Sequence, residues 1–284
     1  MTATGSNTSN KFKAARENKD FVQDVNSDAA DPTPKQITVT SRNKSKITLE
    51  PNSLSQRERS RVKNGRNLTI PLFAEELLII EAAVEKKLSS MTLDEKIGQM
   101  TELSIDVLGE WKNGEFILDK EKLHNAIAKY KVGSILNAPG PVAQSRAKWQ
   151  ELIGMIQNMS MKEIGIPCIY GLDQNHGTTY TLEGTLFPQN INLGASFNPQ
   201  LTYDAARATA YETRAANCPW TYSPTVDMAR DPRWSRVWEN YGEDCLVNAV
   251  MGSHAVRGFQ GDDPNNIPAD RIATSVKHYM GYSM

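Results

Sequence analysis

The sequence has few features of a membrane protein or of a disulfide-stabilised protein. Its three cysteines, Cys168, Cys218 and Cys245, are far apart and lack Cys-x-x-Cys spacing, which argues against a zinc site and a disulfide framework. We interpret them as packing residues.

The first ten residues lack the apolar segment of a signal peptide, and the most apolar stretch, residues 68–84, is interrupted by Pro71 and three glutamates. A cytoplasmic location is the default expectation, and no membrane partner is predicted.

An excess of positive charge is also missing. The chain carries 32 basic and 33 acidic residues; residues 1–66 hold 13 basic and 7 acidic side chains, or +6, which leaves about −7 for the remainder. An acidic body is a poor match to a phosphate backbone, so we predict no nucleic-acid partner. The sequence lacks both common phosphate-binding motifs, Gly-x-Gly-x-x-Gly and Gly-x-x-x-x-Gly-Lys-Ser/Thr. A nucleotide-binding sheet is therefore disfavoured, and no cofactor is predicted.

The first 70 residues differ in composition from the rest. Through residue 66 they are rich in Ser, Thr, Asn, Lys and Arg, and their only aromatic residues are Phe12 and Phe21. Such a segment cannot bury enough apolar surface to offset the entropy of ordering it. We therefore predict a disordered polar tail over residues 1–70, with a basic arm near residues 57–66 that binds an acidic partner as the alternative.

Residues 71–284 alternate between helical and strand patterns. Two short helices are predicted near 75–88 and 92–100, the second from a capping box formed by Thr92 and Glu95. Five strand candidates follow, at 98–103, 132–137, 166–172, 218–225 and 272–280. Four helix candidates lie between them, at 119–130, 144–164, 198–216 and 243–259. Strands separated by single helices imply parallel pairing, hence an α/β fold, either doubly wound or closed as a (β/α)8 barrel.

Three of these strands end in unusually polar segments. The third ends near Asp173 and His176, the fourth is followed by Asp227 and an arginine-rich loop, and the fifth ends in Lys277-His278. Each has an ordinary structural explanation: Asp173 or His176 as a turn-capping residue, the loop charges as a surface ion-pair network, and Lys277 as a solvated strand end. The carboxyl ends of parallel strands share one edge, however, so we expect these groups to converge.

Convergence there would produce a polar pocket with aromatic walls. Charged side chains can form paired hydrogen bonds with sugar hydroxyls, while the C–H faces of a sugar pack on aromatic rings. Trp234 and Trp238 lie in the same loop as Arg236 and are the predicted aromatic wall. The pattern therefore favours a carbohydrate as the ligand.

Several motifs together resemble glycoside hydrolase family 3. They are YGLDQNHG at 170–177, TLFPQN at 185–190, ARDPRWSR at 229–236, WENYGED at 238–244 and KHYMG at 277–281. The resemblance covers about residues 78–284 and implies an amino-terminal barrel domain of an exo-acting, retaining β-glycosidase. A β-glucosidase is the usual activity and a β-xylosidase the alternative. The expected ligand is a β-linked oligosaccharide or an aryl or alkyl β-glucoside.

The resemblance also implies roles for particular residues. The family's sugar-binding positions in the −1 subsite fall on Asp173, Arg236, Lys277 and His278. The sequence departs from the usual pattern at Ser235, where Gly is common, and at Trp238 and Asn240. The intact binding set favours a gluco-type hydroxyl pattern. The family also includes periplasmic and secreted proteins, so the resemblance allows those locations.

The two catalytic carboxylates are not among the residues that match. A retaining glycosidase needs a nucleophile and an acid/base; the resemblance implies that the nucleophile lies in a later Ser/Thr-Asp-Trp/Tyr motif, and we expect both groups beyond Met284. Only about five strand-helix units are predicted where a barrel has eight. The expectation is thus an incomplete (β/α)8 barrel over residues 71–284, without its catalytic carboxylates and inactive by itself.

Other activities fit the same residues less well. Lys277 could form a Schiff base at a barrel mouth, as in lyases and aldolases. Asp173, His176 and His278 could hold a metal, although no His-x-His pair precedes them and no metal is predicted. A non-catalytic, sugar-binding remnant is the alternative outside the enzymes.

Overall fold

The structure is a computed structural model that describes residues 23–24, 37–40, 46–49, 72–278 and 282–283. It divides into two compact units, Met1–Ser90 and Met91–Met284. The predicted boundary at residue 70 falls within the first unit, and its assignment as a domain boundary stays a prediction. No described helix has the length and apolar character needed to cross a membrane.

The described part of the first unit contains three short strands and one helix. Strands β1 (Gln23–Asp24), β2 (Ile37–Thr40) and β3 (Lys46–Leu49) form an antiparallel sheet in that order, and helix α1 spans Leu72–Ser90. For these ten strand residues the structure differs from the predicted disorder, because β2 and β3 are rich in β-branched residues that favour strands. The other residues of the predicted tail, including those of the basic arm, lie outside the described residues.

The second unit is built on a five-stranded parallel sheet. Its strands are β4 (Glu102–Ser104), β7 (Ser134–Leu136), β8 (Ile169–Leu172), β9 (Trp220–Thr221) and β10 (Ala273–Thr274), in the order β10-β9-β8-β7-β4. Sequential strands are therefore neighbours, as in a (β/α)8 barrel. The α/β class and the five predicted strand-helix units are confirmed, and among the described residues the sheet stays open, with β4 and β10 at its edges.

One helix precedes the first of these strands, and the other helices connect them. They are α2 (Leu93–Gln99), α3 (Lys120–His124), α4 (Arg146–Glu163), α5 (Asn190–Ala195), α6 (Pro199–Ala215) and α7 (Cys245–Gln260). The predicted capping box of Thr92 and Glu95 is present at the start of α2, and Asn198 caps α6 by accepting from the backbone of Gln200. Helix α3 continues into a π-helical turn, Asn125–Lys129. All four helix candidates between the strands are confirmed.

The core consists of two apolar clusters that follow from this layout. One fills the space between α4 and the sheet around the fully buried Trp149, Ile153 and Tyr170. The other lies around α6 and α7 and includes Ala210 and Phe259. Cys168 and Cys218 are buried in the first cluster, as the packing interpretation predicts. That interpretation is wrong for Cys245, which is exposed because it is the first residue of α7.

Three local features differ from the predictions. The first predicted strand, 98–103, begins too early, because Gly98 still belongs to α2 and packs against the backbone carbonyl of Tyr130. A hairpin of β5 (Gly109–Lys112) and β6 (Glu115–Leu118) was not predicted, nor was helix α5. The hairpin turns at Asn113-Gly114, where both residues have positive φ, as an Asn-Gly turn between strands favours.

A side-chain hydrogen bond crosses one face of the sheet. The Tyr222 hydroxyl, just past β9, donates to Glu102 Oε1 at the start of β4 over 2.6 Å. The phenol passes over Gly171 of β8, where any Cβ would overlap the Tyr222 ring. A glycine is therefore needed in β8 for this contact.

Candidate functional site

The predicted site residues converge at the carboxyl end of the parallel sheet. Asp173 directly follows β8, Asp227 follows β9, and Lys277 and His278 follow β10. Arg236 comes from the long loop after β9, next to the short 3-10 turn Val237–Glu239. Because the carboxyl ends of parallel strands lie at one edge of the sheet, Asp173 after β8 and Lys277 after β10 come into contact, although they are 104 positions apart in the chain.

Asp173 and Lys277 form an ion pair. Lys277 Nζ donates to Asp173 Oδ1, and the Lys277 side chain is 13% exposed whereas that of Asp173 is 38% exposed. The carboxylate is thus the partner that opens to solvent. The interpretation of Lys277 as a solvated strand end is not supported, since its ammonium group is largely buried and paired.

Arg236 and Glu239 form a second, bidentate pair. Arg236 Nε and Nη2 each donate to one oxygen of Glu239, both over 2.5 Å. This pairing raises the pKa of Arg236 further above its usual value. Asn175 Nδ2 adds a longer hydrogen bond to Glu239 Oε2, 3.4 Å, and Asn175 Oδ1 accepts from Ser223 Oγ over 2.8 Å. Glu239, Asn175 and Ser223 therefore form a chain of hydrogen bonds that holds the guanidinium group of Arg236 in place.

His278 links this arginine to a buried aspartate. Its Nε2 lies 3.1 Å from Arg236 Nη1 and its Nδ1 lies 2.7 Å from Asp227 Oδ2. A guanidinium can only donate, so Nε2 is the acceptor and the hydrogen on Nδ1 is donated to Asp227. The side chain of Asp227 is only 4% exposed. Both ring nitrogens are thereby assigned, which fixes the orientation of the imidazole.

A cleft of about 250 Å³ opens beside these pairs, with Asp173, Asn175, Trp238 and Glu239 among its lining residues. Trp238 is 46% exposed and presents its ring to the cleft. Tyr180 is another lining residue; burial raises its pKa, and the charges of Asp173 and Glu239 raise it further. The cleft therefore combines carboxylates, amides and aromatic rings.

Trp234 lies on another side of the same cluster. Its ring meets that of Tyr282 edge to face at 5.7 Å, and Tyr282 in turn lies 4.6 Å from the ring of His278. Arg236 also lies near the Tyr282 ring, at 5.7 Å. Both predicted wall tryptophans are thus close to the site, but only Trp238 lines the cleft, whereas Trp234 packs on Tyr282, which lies against His278 and Arg236.

The structure separates the charges of the arginine-rich loop. Arg233 pairs with Asp231 at 2.6 Å, and the Arg233 side chain is 89% exposed. Arg236 is 29% exposed and takes no part in that pair. The single surface network considered from the sequence is therefore divided into an exposed pair and a site pair. His176 lines the cleft, and its Nδ1 contacts the Phe187 carbonyl at 2.9 Å.

Sequence reasoning left three of the site's polar residues out of the candidate set. They are Glu239, which accepts from Arg236; Asn175, which donates to Glu239; and Asp227, which accepts from His278. The strand-end position of Asp227 and the three-residue spacing of Arg236 and Glu239 were the available signals. Among the residues that the structure describes, no three His, Cys, Asp or Glu side chains are grouped so as to hold a metal ion.

A family model covers almost the whole second unit. The family model for the glycosyl hydrolase family 3 N terminal domain matches residues 92–284. The chain belongs to glycosyl hydrolase family 3. The match covers the whole parallel sheet of the second unit together with all four predicted sugar-binding residues, so the family resemblance and the barrel-type α/β fold are confirmed. The roles of Asp173, Arg236, Lys277 and His278 remain predictions.

Family 3 relatives with assigned activities cover this region. A lysosomal beta glucosidase of Dictyostelium discoideum is 38% identical over 70% of this chain, and a putative beta-xylosidase of Formosa agariphila is 31% identical over 72%. The crystal structure of an exo-1,3/1,4-beta-glucanase from a Pseudoalteromonas species superposes with a TM-score of 0.63 and 30% identity over 72% of this chain. The aligned regions amount to 26%, 27% and 25% of those proteins, so the chain spans about a quarter of each.

Proposed function

We propose that these residues form the sugar-binding subsite of an exo-acting β-glycosidase that removes terminal β-D-glucosyl residues with retention of configuration. The observation that carries the proposal is the pairing of Asp173 with Lys277 beside the Arg236–Glu239 fork at the carboxyl end of the sheet. A β-linked oligosaccharide or an aryl or alkyl β-glucoside is the proposed substrate.

The chemistry of a sugar hydroxyl supports this assignment. Each hydroxyl donates one hydrogen bond and accepts others, so it is best matched by an acceptor and a donor placed side by side. Asp173, whose side chain is 38% exposed, supplies the acceptor, and the more deeply buried Lys277 beside it supplies the donor. Hydrogen bonds to charged groups are stronger than neutral ones. Trp238 offers an apolar ring to the C–H face of the sugar.

The described residues bind the sugar but are not proposed to cleave it. Retaining hydrolysis requires a nucleophile and an acid/base on carboxyl groups about 5–5.5 Å apart. The two carboxylates of the cleft, Asp173 and Glu239, are each engaged with a cation. Residues 1–284 alone should therefore bind a sugar without hydrolysing a glycoside.

The preference for glucose over xylose is the finer part of the proposal, and it rests on the resemblance of the binding set to gluco-type family members. The relatives include both a beta glucosidase and a putative beta-xylosidase, so a β-xylosidase is the second candidate. Glucose and xylose differ only in the exocyclic hydroxymethyl group, so comparing the two sugars decides between the candidates.

The test is calorimetric titration of the chain with glucose and with xylose, for the wild type and for Asp173→Ala. We expect tighter binding of glucose, and a rise in its Kd by about 10- to 100-fold in the variant, because a hydrogen bond to a charged group contributes about 1.5–3 kcal/mol. Asp173→Asn, which keeps the size of the side chain, should cause a similar loss.

The matched control is Asp231→Ala, which removes another aspartate paired with a basic side chain, at an exposed position. It should leave sugar affinity unchanged. Unaltered binding by Asp173→Ala would remove this residue from the subsite, and tighter binding of xylose would favour the β-xylosidase. Release of 4-nitrophenol from its β-glucoside by residues 1–284 would contradict the proposed division between binding and cleavage.

A further inference from the structure

Gln174, the residue after the cleft residue Asp173, has a side-chain nitrogen with no hydrogen-bond partner among the described residues. Gln174 follows Asp173 and is fully buried, and its Oε1 accepts from the backbone N–H of Thr179 over 2.9 Å and from Thr179 Oγ1 over 3.3 Å. The backbone N–H needs an acceptor, so the amide cannot be reversed. Its Nε2 has no hydrogen-bond partner among the described residues. A buried donor left without an acceptor is destabilising, which points to a ligand at this atom.

Gln174 also lines a small cavity that has the size of one water molecule. The cavity measures about 20 Å³. A water requires roughly 10–15 Å³, so the cavity has room for one water with little space left over. Most of the lining is deeply buried, including Thr209 at 2% and Ser223 at 1% exposure.

Two hydroxyl groups in the lining can complete the coordination of such a water. Ser223 Oγ donates its hydrogen to Asn175 Oδ1, and Thr209 Oγ1 donates its hydrogen to the Ala205 carbonyl, each over 2.8 Å. Both oxygens therefore keep lone pairs that can accept. A water has two hydrogens to donate and accepts from a donor such as Gln174 Nε2, and buried waters typically form about three hydrogen bonds.

We propose that this cavity is a binding site for a single water molecule, which accepts a hydrogen bond from Gln174 Nε2 and donates to the hydroxyl oxygens of Ser223 and Thr209. The ligand is identified by the size of the cavity, by the orphaned donor and by the two available acceptors. No other described residue is required to change its hydrogen bonds.

This site adjoins the sugar cleft through Asn175, which lines both cavities. Ser223 donates to Asn175, Asn175 donates to Glu239, and Glu239 holds Arg236. The water thus fixes the hydroxyl of Ser223 at the beginning of this chain of contacts. Its role as a support for Arg236 rests on the proposed function, whereas its presence does not.

The first experiment is a crystal structure of the unliganded protein at about 1.5 Å. We expect a well-ordered water within roughly 2.7–3.2 Å of Gln174 Nε2, and its loss in Gln174→Met, which keeps the length of the side chain but cannot donate. Wild-type density without a water would overturn the proposal, and so would a water retained at the same position in Gln174→Met. The wild-type structure decides the point even if the variant does not fold, and neither result depends on sugar binding.

The second experiment tests the link to the cleft by calorimetric titration with glucose. Gln174→Met should raise the Kd at least about threefold while the wild-type protein binds normally. Gln157→Met is the matched control, because Gln157 is half-buried and its side chain bonds the backbone of Cys168 just before β8, at the end of the strand opposite to the cleft. A bound water together with unchanged affinity in Gln174→Met would overturn the supporting role, and absence of glucose binding in the wild type would instead contradict the proposed function.

Discussion

At the scale of single residues, the loop from 229 to 236 contains three arginines whose environments differ sharply. Arg233 pairs with its sequence neighbour Asp231 and is 89% exposed, whereas Arg236 is held in the site by Glu239 and His278. Three arginines within seven positions cannot be separated by spacing, so the sequence alone identified Arg236 only through the family resemblance. The three-residue spacing of Arg236 and Glu239 makes a contact between them possible, but whether it forms depends on how the 3-10 turn directs the two side chains.

Arg236→Lys should weaken glucose binding nearly as much as Arg236→Ala. A planar guanidinium forms two parallel hydrogen bonds with Glu239, and a lysine ammonium cannot reproduce that fork. The measurement is the Kd for glucose, which should rise at least about tenfold in both variants. Arg233→Lys and Arg233→Ala are the controls and should bind as the wild type does. If Arg236→Lys kept most of the affinity, the role of Arg236 would be limited to charge.

At the scale of secondary-structure elements, the helices with clear capping residues at their first turn were predicted best. Asn198 followed by Pro199 marked the start of α6, and Thr92 with Glu95 marked α2. The hairpin of β5 and β6 was missed although Asn113-Gly114 is a strong turn signal, because only alternating strand-helix units were considered. Short helix α5 carries no capping side chain, so nothing local announced it.

The packing of α6 on α7 gives a test at this scale. In Gly258→Ala, the new Cβ would lie 2.5 Å from the Tyr203 carbonyl and 2.7 Å from Ala206 Cβ, so we expect a loss of about 1–3 kcal/mol in the free energy of unfolding. In Gly154→Ala of α4 the Cβ meets no atom within 4 Å, so better helix propensity should stabilise by about 0.5–1 kcal/mol. Urea unfolding followed by circular dichroism measures both, and a stabilising Gly258→Ala would contradict the close helix contact.

At the scale of the whole molecule, the alternation of strands and helices was enough to predict the α/β class, whereas the choice of a barrel over a doubly wound sheet came from the family resemblance. The interpretation of the cysteines was correct for two of three, because the environment of a thiol depends on tertiary burial. Cys168 and Cys218 lie in the core, and burial raises the pKa of each thiol to about 12. Cys245 is exposed. It is the first residue of α7 because Asp244 caps that helix.

Thiol titration should therefore count one reactive cysteine per folded chain. The thiolate is the reacting species, so at pH 8 the two buried thiols, protonated and shielded from the reagent, should react slowly with 5,5′-dithiobis(2-nitrobenzoate) while Cys245 reacts at once. In guanidinium chloride all three should react. Cys245→Ser is the control and should abolish the fast phase; two or three fast thiols in the native protein would show that the core is open.

The hydrogen bond between Tyr222 and Glu102 connects residues 120 positions apart, and it passes over the two strands that separate β9 from β4. Because the bond joins the two outer strands of this group directly, its length limits how far the four strands can flatten. The pairings of β4 with β7 and of β7 with β8 join residues only about thirty-two and thirty-five positions apart, and closing a shorter loop costs less entropy. We therefore expect this hydrogen bond to form late in folding, after the neighbouring strands have paired.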